Sequence, residues 1–207
     1  MTEEIHAAFY PGKPNLVPVL MLHGTGGDES DLLPIATFLF PEHPKLGIRG
    51  RVKQNGSNRY FIRREDGTFD LDNLNQETDW LLTAIQQETK RYRLDADQLI
   101  VLGFSNGANI AAYAWLNRST PFKTAVLLHP MMITPPVQSV DLTDFRAFAT
   151  YGDVDSIVPE ANFDQLMQQL TDAHATIESF KNHQSHRLTQ TELMAAQTWI
   201  KKLWTKP

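Results

Sequence analysis

The chain has 207 residues, which suits a single domain, because hydrophobic cores stop growing only beyond about 250–300 residues. Hydrophobic residues make up 42% and charged residues 21%, a composition that argues against intrinsic disorder. A formal charge of −5 provides no electrostatic attraction to nucleic acid, and the lack of cysteine excludes disulfides, thiolate metal sites and a cysteine nucleophile.

Short apolar runs alternate with longer amphipathic segments along the chain. In chain order they predict strand 17–23, helix 31–40 with Ser30 as its N-cap, strand 45–52, helix 71–92, strand 98–104, helix 106–117, strands 124–129 and 146–151, helix 159–173, strand 176–180 and helix 190–203. This alternation indicates one α/β domain over 1–207, with a mostly parallel sheet covered by helices on both faces. Such sheets carry their sites at the carboxyl ends of the strands, here just after Leu22, Gly103, Leu128, Tyr151 and Phe180.

A nucleophile is predicted at Ser105, in the G-x-S-x-G sequence Gly103-Phe104-Ser105-Asn106-Gly107. A serine on a sharp strand-to-helix turn has an exposed hydroxyl, and flanking glycines let the neighbouring strand and helix approach closely. The small residues after Gly107 predict a helix that packs near the sheet, with its positive dipole end at the serine. The pentapeptide alone also fits an ordinary turn, but its strand-to-helix context favours a nucleophile.

The glycine-rich turn after the first predicted strand is the candidate oxyanion loop. Acyl transfer places negative charge on a substrate oxygen, and fixed backbone N–H groups stabilise it. The expected donors are the backbone N–H groups of Thr25 in this turn and of Asn106 after the nucleophile. A phosphate-binding loop is disfavoured because the turn lacks the lysine and hydroxyl residue of a P-loop. His23 precedes the nucleophile in the chain, so it is favoured as a support of this loop over the catalytic base.

The acid and the base should follow later strands, in the order serine, acid, histidine. Asp155 is favoured over Asp153 as the acid. The Asp153 side chain is expected to hydrogen-bond to the backbone of its own turn, as aspartates in turns often do. His186 is favoured over His183 as the base, because it directly precedes the closing helix. Thr189 and Glu192 have the spacing of a capping box, which would hold that helix start.

Four stretches of the sequence together resemble the phospholipase/carboxylesterase family of α/β-hydrolases: LHGTGGDESDLLPIA, GFSNGANIAA, YGDVDSIVP and SHRLTQTEL. The nearest group is the small bacterial carboxylesterases described as hydroquinone-associated esterases, and acyl-protein thioesterases are more distant. The resemblance implies a triad of Ser105, Asp155 and His186, with Ser185 standing where the family usually has glycine. It also implies an α/β-hydrolase fold, no metal, no cofactor and frequent homodimers.

A loop over 56–64 resembles the aromatic and basic loop that lies near the site in this family. The expected substrate-binding residues are Tyr60, Phe61 and Arg63 of this loop, together with His23 of the glycine-rich turn. A surface loop with solvated arginines explains the same pattern equally well. No long insertion separates 128 from 146, so we expect no large lid and a shallow, open site.

The resulting prediction is a serine carboxylesterase that hydrolyses small-molecule carboxylic esters. Two alternatives remain: a thioesterase or lysophospholipase with the same triad, and a hydrolase-fold protein that binds ligands without catalysis. The acidic N-terminus lacks the apolar core of a signal peptide, and no apolar run approaches the ~18 residues of a membrane span. We therefore expect a soluble, cytoplasmic protein that has no nucleic-acid partner. The family resemblance adds a homodimer as a possible assembly.

Overall fold

The computed structural model describes residues 4–204, and a seven-stranded sheet lies at its centre. The strands are β1 Ala7–Tyr10, β2 Val19–Leu22, β3 Lys45–Ile48, β4 Val52–Gln54, β5 Ser57–Arg59, β6 Ile100–Phe104, β7 Thr124–Leu128, β8 Arg146–Gly152 and β9 Thr176–Asn182. The helices are α1 Leu33–Leu39, α2 Leu71–Tyr92, α3 Asn106–Asn117, α4 Glu160–Asp172 and α5 Gln190–Trp204, and a short 3₁₀ helix covers Ala96–Gln98.

The sheet order is β1-β3-β2-β6-β7-β8-β9. Strand β1 pairs antiparallel with β3, whereas all other neighbours in the sheet are parallel. The predicted mostly parallel α/β architecture is therefore confirmed. Because β2, β6, β7, β8 and β9 run in one direction, the loops after them meet at a single edge of the sheet.

Two hydrophobic clusters cover the two faces of the sheet. Successive residues of a strand point to opposite faces, so Val101 of β6 packs with one cluster and its neighbours Ile100 and Leu102 with the other. The first cluster contains the apolar faces of α2, α3 and α4, and the second those of α1 and α5. Helix α3 is buried throughout from Asn106 to Leu116, and its alanines allow it to lie close to the sheet.

Two predicted features differ in the structure. Helix α1 begins at Leu33 with Leu32 at the N-cap, so the prediction of Ser30 as the N-cap was wrong. The Ser30 hydroxyl instead accepts a hydrogen bond from the Tyr10 hydroxyl at 2.8 Å, and the Ser30 carbonyl closes a turn before the helix. The predicted strand 45–52 ends at Ile48, and Val52 starts a separate hairpin made of β4 and β5.

Other boundaries lie within a few residues of those predicted, and α2 and α3 match completely. Strands β1 and β5 were not predicted. The segment 129–145 between β7 and β8 contains neither helix nor strand, in keeping with the expected lack of a large lid. Over residues 4–204, none of the helices combines the length and the apolar character that crossing a membrane requires.

Candidate active site

Ser105 sits on the turn between β6 and α3 with φ +48° and ψ −112°. Residues other than glycine rarely adopt positive φ, and such conformations cost on the order of 1–3 kcal/mol. The flanking glycines explain how this turn fits. A Cβ atom on Gly107 would collide with the Leu22 carbonyl, and one on Gly103 would lie 2.8 Å from the Ala108 Cα. The G-x-S-x-G sequence therefore permits a strained turn against β2 and α3.

His186 and Asp155 complete a chain of hydrogen bonds that starts at Ser105. The Ser105 Oγ lies 2.8 Å from His186 Nε2, and His186 Nδ1 lies 2.6 Å from Asp155 Oδ2. The Asp155 side chain is fully buried and that of His186 is 12% exposed. With Nδ1–H donating to the carboxylate, Nε2 is the acceptor for the serine hydroxyl.

Asp155 is held at both of its carboxylate oxygens. Its Oδ1 accepts from the backbone N–H groups of Ile157 and Val158 at 2.7 and 3.0 Å, while Oδ2 faces His186. Burial alone would raise the pKa of Asp155, but the hydrogen bonds from His186 and from these two N–H groups outweigh it, and the pKa is lowered. Asp155 is therefore a carboxylate at neutral pH and its orientation is fixed.

The two rejected alternatives, Asp153 and His183, pair with each other. His183 Nδ1 lies 2.8 Å from Asp153 Oδ1, and their side chains are 81% and 46% exposed. This pair is on the surface and makes no hydrogen bond to Ser105. The structure thus separates the competing acids and bases into one buried pair, which contacts the serine, and one solvated pair.

The start of helix α5 supports the backbone just after His186. The Thr189 N–H donates to Glu192 Oε1 at 2.7 Å, and the Glu192 N–H lies 3.4 Å from the Thr189 hydroxyl oxygen. The predicted capping box is confirmed. Glu192 is completely buried, although a capping glutamate usually faces solvent, which indicates a further contact for its carboxylate.

That contact is His129, which the sequence analysis did not assign. His129 follows β7 with φ +51° and is fully buried. Its Nε2 lies 3.2 Å from Glu192 Oε2 and its Nδ1 lies 3.3 Å from Asp155 Oδ2. Burial favours the neutral ring, but the hydrogen bonds and charges of Glu192 and Asp155 prevail and raise the pKa of His129. Its position directly after Leu128, at a strand end where sites are expected, was the available signal.

Two backbone N–H groups beside Ser105 have no acceptor among the described residues. Among the hydrogen bonds formed within residues 4–204, neither the Thr25 N–H nor the Asn106 N–H donates to a protein group. The turn that carries Thr25 is held by the hairpin, because Gly26 N–H donates to the Asn58 carbonyl at 2.8 Å. The Asn106 side chain accepts a hydrogen bond from the Tyr60 N–H at 2.7 Å. Asn106 is therefore connected to the segment that directly follows the hairpin.

A cavity of about 310 Å³ opens beside these groups, and Thr25, Ser105, Asn106, Met131, Ile157 and His186 are among the residues that line it. A larger cavity of about 690 Å³ lies near the amino ends of β7 and β8, between Tyr113 and Phe145. None of the candidate site residues, such as Ser105 and His186, lines this larger cavity. We therefore regard the smaller cavity as the candidate substrate pocket.

The residues predicted to bind substrate separate into two groups. Arg63 lines the cavity, whereas His23, Tyr60 and Phe61 are at most 1% exposed and lie in the protein interior. His23 Nδ1 donates to the Gly24 carbonyl and its Nε2 accepts from the Gly50 N–H. Burial lowers the pKa of His23, which suits this neutral bracing arrangement. Arg59, which lies within the predicted loop 56–64 but was not among the residues expected to bind substrate, also lines the cavity.

Comparison with known proteins places the chain in a family. The profile described as Phospholipase/Carboxylesterase matches residues 6–204. The chain belongs to the phospholipase/carboxylesterase family. It is 34% identical to the hydrolase MhqD of Bacillus subtilis (strain 168) over 184 residues, which cover 89% of this chain and 92% of MhqD.

Solved structures of relatives superpose closely on this family member. A structure of YahD with malic acid shares 38% identity and a TM-score of 0.93, covering 96% of this chain and 99% of YahD. The Bacillus cereus carboxylesterase shares 34% identity and a TM-score of 0.93, covering 97% and 95% of the two chains. The α/β-hydrolase fold and the assignment to a family of ester hydrolases agree with the sequence analysis.

In this member of the family, His129, Asp155 and His186 also have the spacing of a cation site, because their potential ligand atoms lie within 4.8 Å of one another. Each of these atoms is already committed. Asp155 Oδ2 accepts from both imidazoles, and His186 Nε2 faces the serine. A metal ligated by these atoms would have to displace the hydrogen bonds that hold Asp155 and His186, so the arrangement fits proton transfer better than metal binding.

Proposed function

We propose that this chain is a serine carboxylesterase that hydrolyses small carboxylic esters through an acyl-enzyme on Ser105. The observation that carries the proposal is the continuous hydrogen-bonded path from Ser105 through His186 to Asp155, with distances of 2.8 and 2.6 Å. A serine hydroxyl is a weak nucleophile until an adjacent base removes its proton. Here that base is oriented by a buried carboxylate, as in other serine hydrolases.

In the first step, Ser105 Oγ attacks the carbonyl carbon of the ester while His186 Nε2 accepts the hydroxyl proton. Asp155 holds His186 in the tautomer whose Nε2 is free to accept, and its negative charge stabilises the imidazolium that forms. The strained turn presents the hydroxyl toward the cavity rather than toward the packed interior. The product of this step is a tetrahedral intermediate whose former carbonyl oxygen carries the negative charge.

The unpaired N–H groups of Thr25 and Asn106 are the proposed donors to that oxygen. An oxyanion-hole donor typically contributes about 2.7–4 kcal/mol to the transition state, and donors fixed before the reaction cost no reorganisation. The backbone of Thr25 is held through the hairpin and that of Asn106 by the start of α3. A mobile loop would have to order itself at each turnover, and this arrangement avoids that step.

The intermediate then collapses when the C–O bond to the alcohol breaks and His186 donates its proton to the leaving oxygen. Water enters, His186 Nε2 takes one of its protons, and the hydroxide oxygen attacks the acyl carbon. Collapse of the second intermediate returns the proton to Ser105 Oγ and releases the carboxylic acid. The cycle consumes one water molecule, and all of its proton transfers use side chains of this chain.

The cavity favours small esters. Its volume of about 310 Å³ is at the lower end of the range of about 300–1,000 Å³ for small-molecule pockets. A structure of the relative YahD was determined with malic acid, a small carboxylic acid. This supports a small substrate for the present chain as well. A thioester or lysophospholipid would use the same proton transfers, and substrate tests must separate these possibilities.

The proposal is tested by active-site labelling with a fluorophosphonate together with hydrolysis of 4-nitrophenyl acetate, butyrate and octanoate. We expect the wild type to be labelled, Ser105→Ala to lose both label and turnover, and Ser119→Ala, a serine beside the other cavity, to retain both. Turnover should fall from the short to the long ester. Equal labelling of wild type and Ser105→Ala would overturn the nucleophile, and turnover of acyl-CoA thioesters alone would overturn the substrate class.

A further inference from the structure

Two arginines, Arg59 and Arg63, line the cavity that Ser105 and His186 also line. Arg59 ends strand β5 and is half-buried, whereas Arg63 follows four residues later and is exposed. The chain as a whole carries a net charge of −5, so this local positive charge opposes the general character of the protein. Its placement beside the proposed nucleophile calls for a physical reason.

Neither of these arginines has a carboxylate partner within the part of the chain that the structure describes. Nearby arginines are paired: Arg49 with Glu29 at 3.5 Å, Arg51 with Glu77 at 2.7 Å and Arg64 with Asp70 at 3.6 Å. Arg59 and Arg63 use only their Nε–H groups, donating to the Phe61 and Gly67 carbonyls at 3.1 Å each. Over residues 4–204 their terminal nitrogens donate to no protein acceptor.

The backbone of both arginines is anchored, and each side chain makes one hydrogen bond through its Nε–H group. The backbone of Arg59 pairs with Val52 in the hairpin, and that of Arg63 forms a bridge to Phe69. The Arg63 guanidinium lies 5.7 Å from the centre of the Phe69 ring, and Phe69 lines the same cavity. The planar guanidinium is itself preorganised, so less side-chain entropy is lost for each hydrogen bond that it forms with a partner.

The proximity of the two like charges also favours an anionic partner. Burial lowers the pKa of Arg59, and the positive charge of Arg63 lowers it further. The Arg59 guanidinium nevertheless remains charged at neutral pH, because arginine side chains are not deprotonated in proteins in this range. An anion bound between them would relieve the repulsion and satisfy the terminal N–H groups.

We propose that Arg59 and Arg63 form an anion subsite of the active-site cavity, which selects esters that carry a second, free carboxylate. The planar guanidinium matches a carboxylate in a two-point contact, and such charge-assisted hydrogen bonds are the stronger kind. Half-esters of small dicarboxylic acids and hydroxybenzoates acylated on the hydroxyl group belong to this class. The inference rests on the proposed ester hydrolysis at Ser105 and specifies its substrates.

Two matched pairs of esters test the subsite. Monomethyl glutarate against methyl pentanoate places the carboxylate on the acyl side, and 4-acetoxybenzoate against 4-acetoxybenzamide places it on the alcohol side. We expect at least one pair to show a tenfold or greater preference for the anion in kcat/KM. In the double variant Arg59→Gln, Arg63→Gln that preference should fall at least tenfold, which corresponds to about 1.4 kcal/mol.

The matched control is Arg64→Gln, which removes a neighbouring arginine that is paired with Asp70 and does not line the cavity. It should keep the preference of the wild type. The preference is the ratio of the kcat/KM values of two esters, measured on one protein preparation. A lower fraction of folded protein reduces both values equally and leaves their ratio unchanged. A preference that is absent from both pairs in the wild type, or that survives the double variant, overturns the subsite.

A binding measurement separates failure of the subsite from failure of the esterase proposal. Calorimetric titration of the Ser105→Ala protein with monomethyl glutarate requires no turnover. We expect binding that weakens at least tenfold when Arg59 and Arg63 are both replaced by glutamine in that background. Binding no tighter than that of methyl pentanoate overturns the subsite even if neutral esters are hydrolysed. If the wild type turns over none of the esters although the Ser105→Ala protein binds the carboxylate as expected, only the esterase proposal is overturned.

Discussion

The imidazole of His129 lies edge-on against that of His186, with ring centroids 5.1 Å apart and an angle of 71° between the rings. Both Nδ1 atoms face the same oxygen, Oδ2 of Asp155, at 3.3 and 2.6 Å. The carboxylate that orients the proposed base is thus shared with a second, deeper histidine. That histidine is in turn held by Glu192, the capping residue of helix α5.

Replacement of His129 by asparagine should destabilise the protein and lower the rate. The change removes the imidazole that lies between the buried carboxylates of Asp155 and Glu192, and breaking a buried charge pair costs about 3–5 kcal/mol. Because His129 acts through Asp155, we expect a fall in kcat of about tenfold or more with KM little changed. Urea unfolding and steady-state kinetics measure the two effects.

The matched control is His183→Asn, which disrupts the solvated pair with Asp153. Exposed pairs contribute little, and a change below about 0.5 kcal/mol in the free energy of unfolding is expected. Glu192→Gln is the complementary change, since glutamine keeps a side-chain acceptor for the Thr189 N–H but removes the charge. A His129→Asn protein as stable and as active as His183→Asn would show that His129 has no positioning role.

The stabilising effect of His129 should depend on pH. Its pKa is raised above the model-compound value of 6.5, so its contribution is fully present below about pH 6.5 and is lost as the pH rises through the raised value. The pKa of Asp155 is lowered below 3.8, so its contribution is present above about pH 3.8 and disappears as the pH falls through the lowered value. The network should therefore contribute most between these limits.

The measurement compares the free energy of unfolding of wild type and His129→Asn at pH 5.5 and pH 8.5. Asp155, Glu192 and His186 are the titratable groups that face His129. We expect a larger difference at pH 5.5, where the imidazolium lies between the two carboxylates. A difference that is equal at the two pH values, or larger at pH 8.5, would contradict a charged His129 in the folded protein.

The strained turn at Ser105 gives a separate prediction about stability. Glycine adopts positive φ without the steric cost that a side chain has, so Ser105→Gly should be more stable than Ser105→Ala. A difference of about 1 kcal/mol is expected in the free energy of unfolding, although both variants lose activity. If alanine proves equal to glycine or more stable, the turn does not store strain.

The choice of base is tested by replacing each of the two candidate histidines with alanine in turn. His186→Ala removes the hydrogen-bond partner of Ser105 and should lower kcat by at least about a thousandfold, as loss of a triad member does. His183→Ala should retain most of the activity, because its ring contacts Asp153 on the surface. The reverse pattern would assign the base to His183.

The sequence predicted most of the fold and the hydrogen-bonded path at Ser105 because the relevant signals are local. Ser105 is marked by its flanking glycines, and His186 by the capping box that follows. His129 was missed because its partners lie 26 and 63 residues further along the chain, at Asp155 and Glu192. Only the packing of strand ends against helix α5 brings them together.

The pocket loop shows a second limit of local reasoning. The aromatic and basic residues of 56–64 looked alike in their relation to a substrate, yet Tyr60 and Phe61 are buried while Arg59 and Arg63 face the cavity. Which side chains point inward depends on how the hairpin docks on Asn106 and on α2. Strand β1 was also missed: it lies at the sheet edge and its four residues are only partly buried, so it lacks the longer apolar run that marked the equally short, fully buried β2.

The most direct test of the account is the detection of an acyl group on Ser105. Wild-type protein is mixed with excess 4-nitrophenyl acetate, quenched in acid within the first turnover, digested and analysed by mass spectrometry. We expect acetylation of the peptide that contains Ser105, a matching burst of 4-nitrophenolate, and loss of both in His186→Asn. Acetylation at another residue, or a burst that persists without His186, would contradict the mechanism.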